Sequence, residues 1–241
     1  RAYRLFDAGN NISYLFSVIL LPLFASVIKN GEDLQSLVKQ SFSLMLTMTC
    51  VIAVACIFYS ENLMELLYNI QDNESVEAYN HRIHESSKIL QILMGSFVSI
   101  SVTYIFGTLL TANGNLRQLN IVAATGVIIN LTLNFIFIPI FKAQGAAFTS
   151  LCVQFATCAI QFFIAKRIFG LKLGSSFWIS IFSFITLLVL SAVILKSTSM
   201  NWFYSFISTM AGGLFIAFIT KMLDYKELKS LIMSSISHIK K

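Results

Sequence analysis

QLNIVAATGVIINLTLNFIFIPIF (residues 118–141), one Lys142, then AQGAAFTSLCVQFATCAIQFFIA (residues 143–165) decide the fold of this chain. Neither run contains a charged residue, and each is long enough to cross a lipid bilayer. A spanning helix needs roughly 20 mainly apolar residues, because each rises about 1.5 Å through a hydrocarbon core about 30 Å thick. One Asp, Lys or Arg at a helix centre costs on the order of 3 kcal/mol, so charge avoidance on this scale is a signal. Five more charge-free runs occupy 8–28, 40–60, 89–116, 173–195 and 197–220. Seven spans are therefore expected, over about 8–28, 40–60, 89–112, 119–141, 143–165, 174–195 and 198–220. The sequence predicts an all-α polytopic membrane protein.

Composition agrees. Hydrophobic residues make up 56% and charged residues 12%, outside the usual soluble range. A membrane β-barrel would show short alternating segments, and runs such as 18–24 show none. The four cysteines, Cys50, Cys56, Cys152 and Cys158, fall inside expected spans without metal or redox spacing. They read as small packing residues.

The net charge of +6 is distributed by side. Seven spans put the termini on opposite sides. One side then collects Lys29, Lys39, Arg117, Lys166, Arg167, Lys172, Lys221, Lys226, Lys229, Lys240 and Lys241, against Arg1, Arg4, Arg82, Lys88, Lys142 and Lys196 on the other. Positive residues favour the cytoplasm, which places the carboxyl end there. The basic excess is a topology signal, and no nucleic-acid partner is expected. Arg1 in place of Met reads as a fragment or processed product.

Between spans, 61–88 is the longest connection and is acidic. Leu63, Leu66, Leu67 and Ile70 predict a short helix along the outer interface, followed by a turn at Asp72-Asn73. Asn73-Glu74-Ser75 matches a glycosylation sequon. Gly31-Glu32-Asp33 predicts a short helix leading into the second span. Residues 225–241 read as an amphipathic basic tail helix resting on lipid headgroups, or as a soluble tail.

Polar groups at membrane depth face other helices or a watery cavity. Asn130 and Asn134 share one helix face, as do Gln154 and Gln161; Gln91 opens the third span, and Asn11 lies at the mouth of the first. They are candidates either for interhelical hydrogen bonds or for lining a sugar route. Pro22 marks a kink or hinge in the first span, and Gly145-Ala146-Ala147 and Gly212-Gly213 suit close helix approach. Arg4 and Asp7, three apart, are placed to pair; Arg4 is either an arginine at a cavity mouth, which suits diphosphate, or a snorkelling arginine at a chain end. His81, His84 and Glu85 would share a helical face, but exposed histidines on an acidic loop are common and no metal site is assigned. Nothing forms a hydrolytic triad or a phosphate-cradling loop. No enzyme and no cofactor is expected.

Ala2-Tyr3-Arg4-Leu5, Leu20-Leu21-Pro22-Leu23-Phe24-Ala25-Ser26 and the block 106–117 (FGTLLTANGNLR) carry a resemblance. They are similar to passages of the polysaccharide and oligosaccharide (O-antigen type) flippases, relatives of the lipid II flippase and the multidrug exporters. The resemblance covers nearly the whole chain but only the later half of a fourteen-helix fold. It implies a second lobe plus trailing helices, with a first lobe elsewhere in the same chain as partner. The expected activity is translocation of a polyprenyl-diphosphate-linked oligosaccharide across the inner (cytoplasmic) membrane for cell-surface polysaccharide. Arg4 would contact diphosphate; Asn11, Gln91, Asn130, Asn134, Gln154 and Gln161 would line the route; Pro22, Gly107 and Gly114 would permit bending. Membrane lipids and the lipid-linked oligosaccharide are the other expected partners. The alternatives are a cation-coupled drug exporter, which wants an embedded carboxylate absent here, a seven-helix receptor, and a membrane glycosyl- or acyltransferase.

Overall fold

The computed structural model describes residues 2–70, 74–198 and 200–223. The Asp72-Asn73 turn, the sequon at Asn73 and the tail helix over 225–241 lie outside them. Seven helices follow in order: α1 (Ala2–Asn30), α2 (Leu34–Phe58), α3 (Ser60–Leu67), α4 (Val76–Ala112), α5 (Leu116–Phe169), α6 (Ser175–Ser197) and α7 (Trp202–Ile219). All except α3 are long and apolar enough to cross a membrane, six in all among the described residues.

The expected fourth and fifth spans both lie in the 54-residue α5. A straight helix of that length would extend about 81 Å, far beyond a bilayer. Lys142 breaks it with φ 51° and ψ −127°. The two arms, 116–141 and 143–169, then lie against each other in reverse order. Phe137 stacks edge-on against Phe148 with ring centres 5.4 Å apart, and Gly126 faces Thr157 and Val153. At the tip a Cβ on Gly145 would run into the Phe137 carbonyl, so only glycine permits this approach. Pro139 sits inside the first arm, with the break three residues beyond it.

Two expected boundaries move. Helix α4 begins at Val76 rather than near Ile89, because Ser75 caps it by accepting from the Ala78 amide at 3.2 Å. The short helix expected at Gly31-Glu32-Asp33 is the first turn of α2 itself. The Asp33 carboxylate accepts from the Gln35 and Ser36 amides and starts the spanning helix directly. The amphipathic segment after the second span is helical as α3, ending at Leu67 before Ile70.

Helix α4 is the centre of the bundle, with α1, α2, α3 and α5 packed around it. Its Leu90, Leu93, Phe97, Ile105, Phe106, Leu109 and Leu110 are fully covered. Helices α6 and α7 pair with each other and rest on α2, where Gly213 of α7 meets Leu188 and Val51. Fully burying one such side chain contributes about 1.5–3 kcal/mol relative to water. In lipid that driving force is absent, so close packing and small-residue contact hold the helices.

Charge is segregated between the two ends of the bundle. At one end α1, α4, α5 and α7 terminate and α2 and α6 begin; Gln35 and Lys172 exchange hydrogen bonds across it at 3.2 and 3.3 Å. Among the described residues this end holds Lys29, Lys39, Arg117, Lys166, Arg167, Lys172 and Lys221 beside only Glu32 and Asp33. All four helices ending there close with a left-handed residue: Gly31, Gly114, Gly170 and Lys221. In each, the next amide bonds the carbonyl five residues back, satisfying carbonyls that would otherwise be orphaned. Cations in the last turns of α1 (Lys29) and α5 (Lys166 and Arg167) also complement the backbone dipoles. The opposite, acidic end carries α3, the start of α4 and the tip of the α5 hairpin.

Candidate functional site

Helix α1 turns Ser13, Ser17, Leu20, Leu23 and Phe24 into the bundle. Ser13 and Ser101 of α4 share a hydrogen bond at 2.8 Å, and Gly9 lets the Phe97 ring close on the backbone. Helical periodicity puts the opposite face at Arg4, Asp7, Asn11, Tyr14, Val18, Pro22 and Ala25. Every one of these seven is exposed. The stripe is polar in the half nearest the acidic end and apolar in the other half.

Such a face does not suit hydrocarbon. Charged and amide groups at or near membrane depth seek water, another helix or a polar ligand. Among the described residues the ion pairs are Arg82–Glu74, His84–Glu61 and Lys88–Glu85. The Arg4–Asp7 pair allowed by spacing is not made, so the guanidinium fork of Arg4 stays available. Pro22 lies on the same face within a continuous helix and lacks the amide that would bond the Val18 carbonyl.

The other expected site residues lie elsewhere. On α5, the Asn134 amide donates to Asn130 Oδ1 at 2.8 Å, while Asn134 Oδ1 is buried without a partner. Gln161 is 7% exposed and its Oε1, also unpartnered, points at Gly107 of α4. Gln154 on the same arm is half-buried. Gln91 donates to Ser60 Oγ at 2.8 Å and ties α4 to the first turn of α3. Helix α4 meets α1 through Phe97, Ser101 and Tyr104, and meets α5 through Gly95 and Gly107. Gly95 lies nearly opposite the α1-facing set around α4, whereas Gly107 lies on its flank. Arg4 and Asn11 are exposed on the outward face of α1, while Gln161 on α5 packs into the bundle against Gly107 of α4. Gly107 is an interior contact point of α4, and Gly114 is its left-handed cap.

The acidic end holds a cluster that sequence reasoning missed. Arg82 donates to both Glu74 oxygens at 2.8 and 2.7 Å and to the Asn69 carbonyl at 3.1 Å. Its guanidinium lies 5.0 Å and 5.5 Å from the ring centres of Tyr68 and Tyr79, a stacked and bidentate arrangement suited to arginine. The Glu74 hydrogen bond raises the Arg82 pKa above its ordinary value. Gln144 at the hairpin tip donates to Glu85 at 2.6 Å, fastening α5 to α4. His84 bonds Glu61 and Glu85 bonds Gln144, so the histidine–glutamate trio is divided among separate partners. All four cysteines are free thiols.

Six spanning-length helices among the described residues define the class of a multi-pass helical membrane protein. The sequence pattern of the family described as lipid II flippase MurJ matches residues 12–214, and the chain belongs to that family. Its members are transporters of a lipid-linked precursor, not enzymes. Among solved structures, one titled lipid II flippase MurJ, inward closed conformation, superposes with a TM-score of 0.70 at 17% identity. The match covers 94% of this chain and 47% of that one, so the chain spans about half the length of the structure it resembles. A comparison with curated proteins gives no match. The flippase resemblance read from the sequence therefore holds at the level of the superfamily, and the matching branch is the lipid II one rather than the O-antigen type.

Proposed function

We propose that this chain forms the second lobe and trailing helices of a fourteen-helix flippase that moves a polyprenyl-diphosphate-linked saccharide across the cytoplasmic membrane. In this reading α5 supplies two crossings, making seven in all, and the basic end faces the cytoplasm. The observation that carries it is the unpartnered face of α1, where Arg4, Asp7 and Asn11 stand exposed opposite the packed face. The first lobe set against that face would enclose an aqueous cleft between them. Arg4 would hold diphosphate through charge-assisted hydrogen bonds, and Asn11 a sugar hydroxyl. Pro22, toward the other end of the same face, would let α1 bend as the lobes rock. Asn130, Asn134, Gln154 and Gln161 belong to the route only if α5 turns an edge toward it.

The family match favours lipid II, the peptidoglycan precursor, over the O-antigen unit as the saccharide. Half a cleft offers no alternation between sides. In proteoliposomes containing a fluorescent lipid-linked saccharide, the full-length protein is expected to expose the label to an external quencher. The 1–241 segment alone is expected to leave it unchanged. Translocation by the segment alone would refute the two-lobe reading.

A further inference from the structure

Helices α5 and α6 follow one another in the chain, yet they pack on α4 and α2 respectively and not extensively on each other. Between them opens a cleft of about 530 Å³ floored by α2 and α4. Phe42, Phe106, Phe162 and Trp178 form its wall in a continuous chain of ring contacts, 5.8, 5.2 and 6.0 Å between successive centres. Ser99 is the one hydroxyl in the lining, and it is already bonded to the Gly95 carbonyl. The cleft therefore offers water almost no partners, and an empty space of this size would forfeit the contacts of its lining.

Size separates the candidates that remain. A helix about 10 Å across fills about 420 Å³ in each 5.4 Å turn, so the cleft would accept little more than one turn. An extended alkyl chain fits it lengthwise. The cleft also has a charged mouth. Its lining comes from the α2, α4, α5 and α6 segments nearest the basic end. Lys39 Nζ lies 5.6 Å from the Phe177 ring centre, one turn before Phe42. Lys166 follows Phe162 and Phe163 by one turn, and both lysines are exposed.

We infer that the α5–α6 cleft is a binding site for an anionic phospholipid of the leaflet at the basic end. One acyl chain lies along the aromatic wall and the phosphate lies between Lys39 and Lys166. This lipid is distinct from the transported substrate, because the cleft sits across α4 from Arg4 and Asn11.

The test is native mass spectrometry of the full-length protein, titrated after delipidation with phosphatidylglycerol or with phosphatidylcholine of matched chains. Phosphatidylglycerol is expected to bind at least tenfold more tightly. Lys39→Ala with Lys166→Ala should abolish the difference, and Ala159→Trp, which fills the cleft, should remove the bound lipid. Should the tryptophan unfold the protein, a phospholipid with a photoreactive acyl chain serves on the unsubstituted protein and should attach within 155–163 or 178–185. Equal affinity for the two lipids, retention of the lipid by a folded Ala159→Trp protein, or attachment elsewhere would overturn the site. So would stoichiometric displacement by a polyprenyl phosphate, which would make the cleft a substrate-tail site.

Discussion

Replacing Arg4 by alanine in the full-length protein is expected to lower translocation of the lipid-linked saccharide about tenfold to a hundredfold, with expression and thermal midpoint unchanged. The guanidinium is exposed and forms none of the ion pairs found among the described residues, so its removal leaves no buried partner stranded. A hydrogen bond to a charged group contributes about 1.5–3 kcal/mol, and each 1.4 kcal/mol is a factor of ten. Arg4→Lys keeps the charge but loses the planar fork, and should restore only part of the rate. A transport assay in proteoliposomes checks both. Unaltered transport by Arg4→Ala would remove Arg4 from the substrate route.

Gly145→Ala is expected to be the most damaging single-methyl change in the chain. The new Cβ would meet the Phe137 carbonyl, which is backbone held in the opposing arm of the same hairpin. Nothing flexible can yield, so the arms must separate. Overpacking of side chains alone costs about 1–3 kcal/mol, and a backbone collision should reach or exceed the top of that range. The Gln144–Glu85 bond one residue away would be disturbed with it. Gly212→Ala, where a Cβ meets no atom within 4 Å, is the matched control and should be neutral or slightly stabilising. Size-exclusion profiles after a heat step distinguish the two. Equal survival would show that the hairpin tip is looser than described.

The membrane-crossing segments are legible because hydrocarbon excludes charge one residue at a time, and that penalty needs no tertiary information. Lys142 standing alone between two apolar runs marked the break in α5 for this reason. Gly145 beside it supplied the reason for a tight reversal. The acidic end was less legible. Whether 76–88 forms a loop or an extension of α4 depends on the Ser75 cap and on Arg82 reaching back to Glu74 and the Asn69 carbonyl. Eight and thirteen residues separate these partners, with no periodicity to announce them.

The candidate site was half legible. Spacing placed Asn130 with Asn134 and Gln154 with Gln161, but helical spacing says nothing about which neighbour a face meets. Gln161 is packed against Gly107, and Gln91 is tied to Ser60. Conversely, the outward aspect of α1 was hidden in the sequence. Its buried face carries Ser13 and Ser17 as well as apolar residues, which blurs the contrast between the two sides. A stripe of exposed Arg4, Asp7, Asn11 and Tyr14 stands out only once the packed side is known.

The central claim is that this α1 face borders a watery cleft shared with the first lobe. Its most direct measurement is thiol accessibility in the full-length protein with its native cysteines, Cys50, Cys56, Cys152 and Cys158 among them, replaced by alanine. The account predicts that Asn11→Cys reacts with a membrane-impermeant maleimide in sealed spheroplasts and is protected by added lipid-linked saccharide. Phe182→Cys on α6, where the phenylalanine is 76% exposed, should stay unlabelled in hydrocarbon. Failure of Asn11→Cys to label, or equal labelling of both positions without protection, would contradict it.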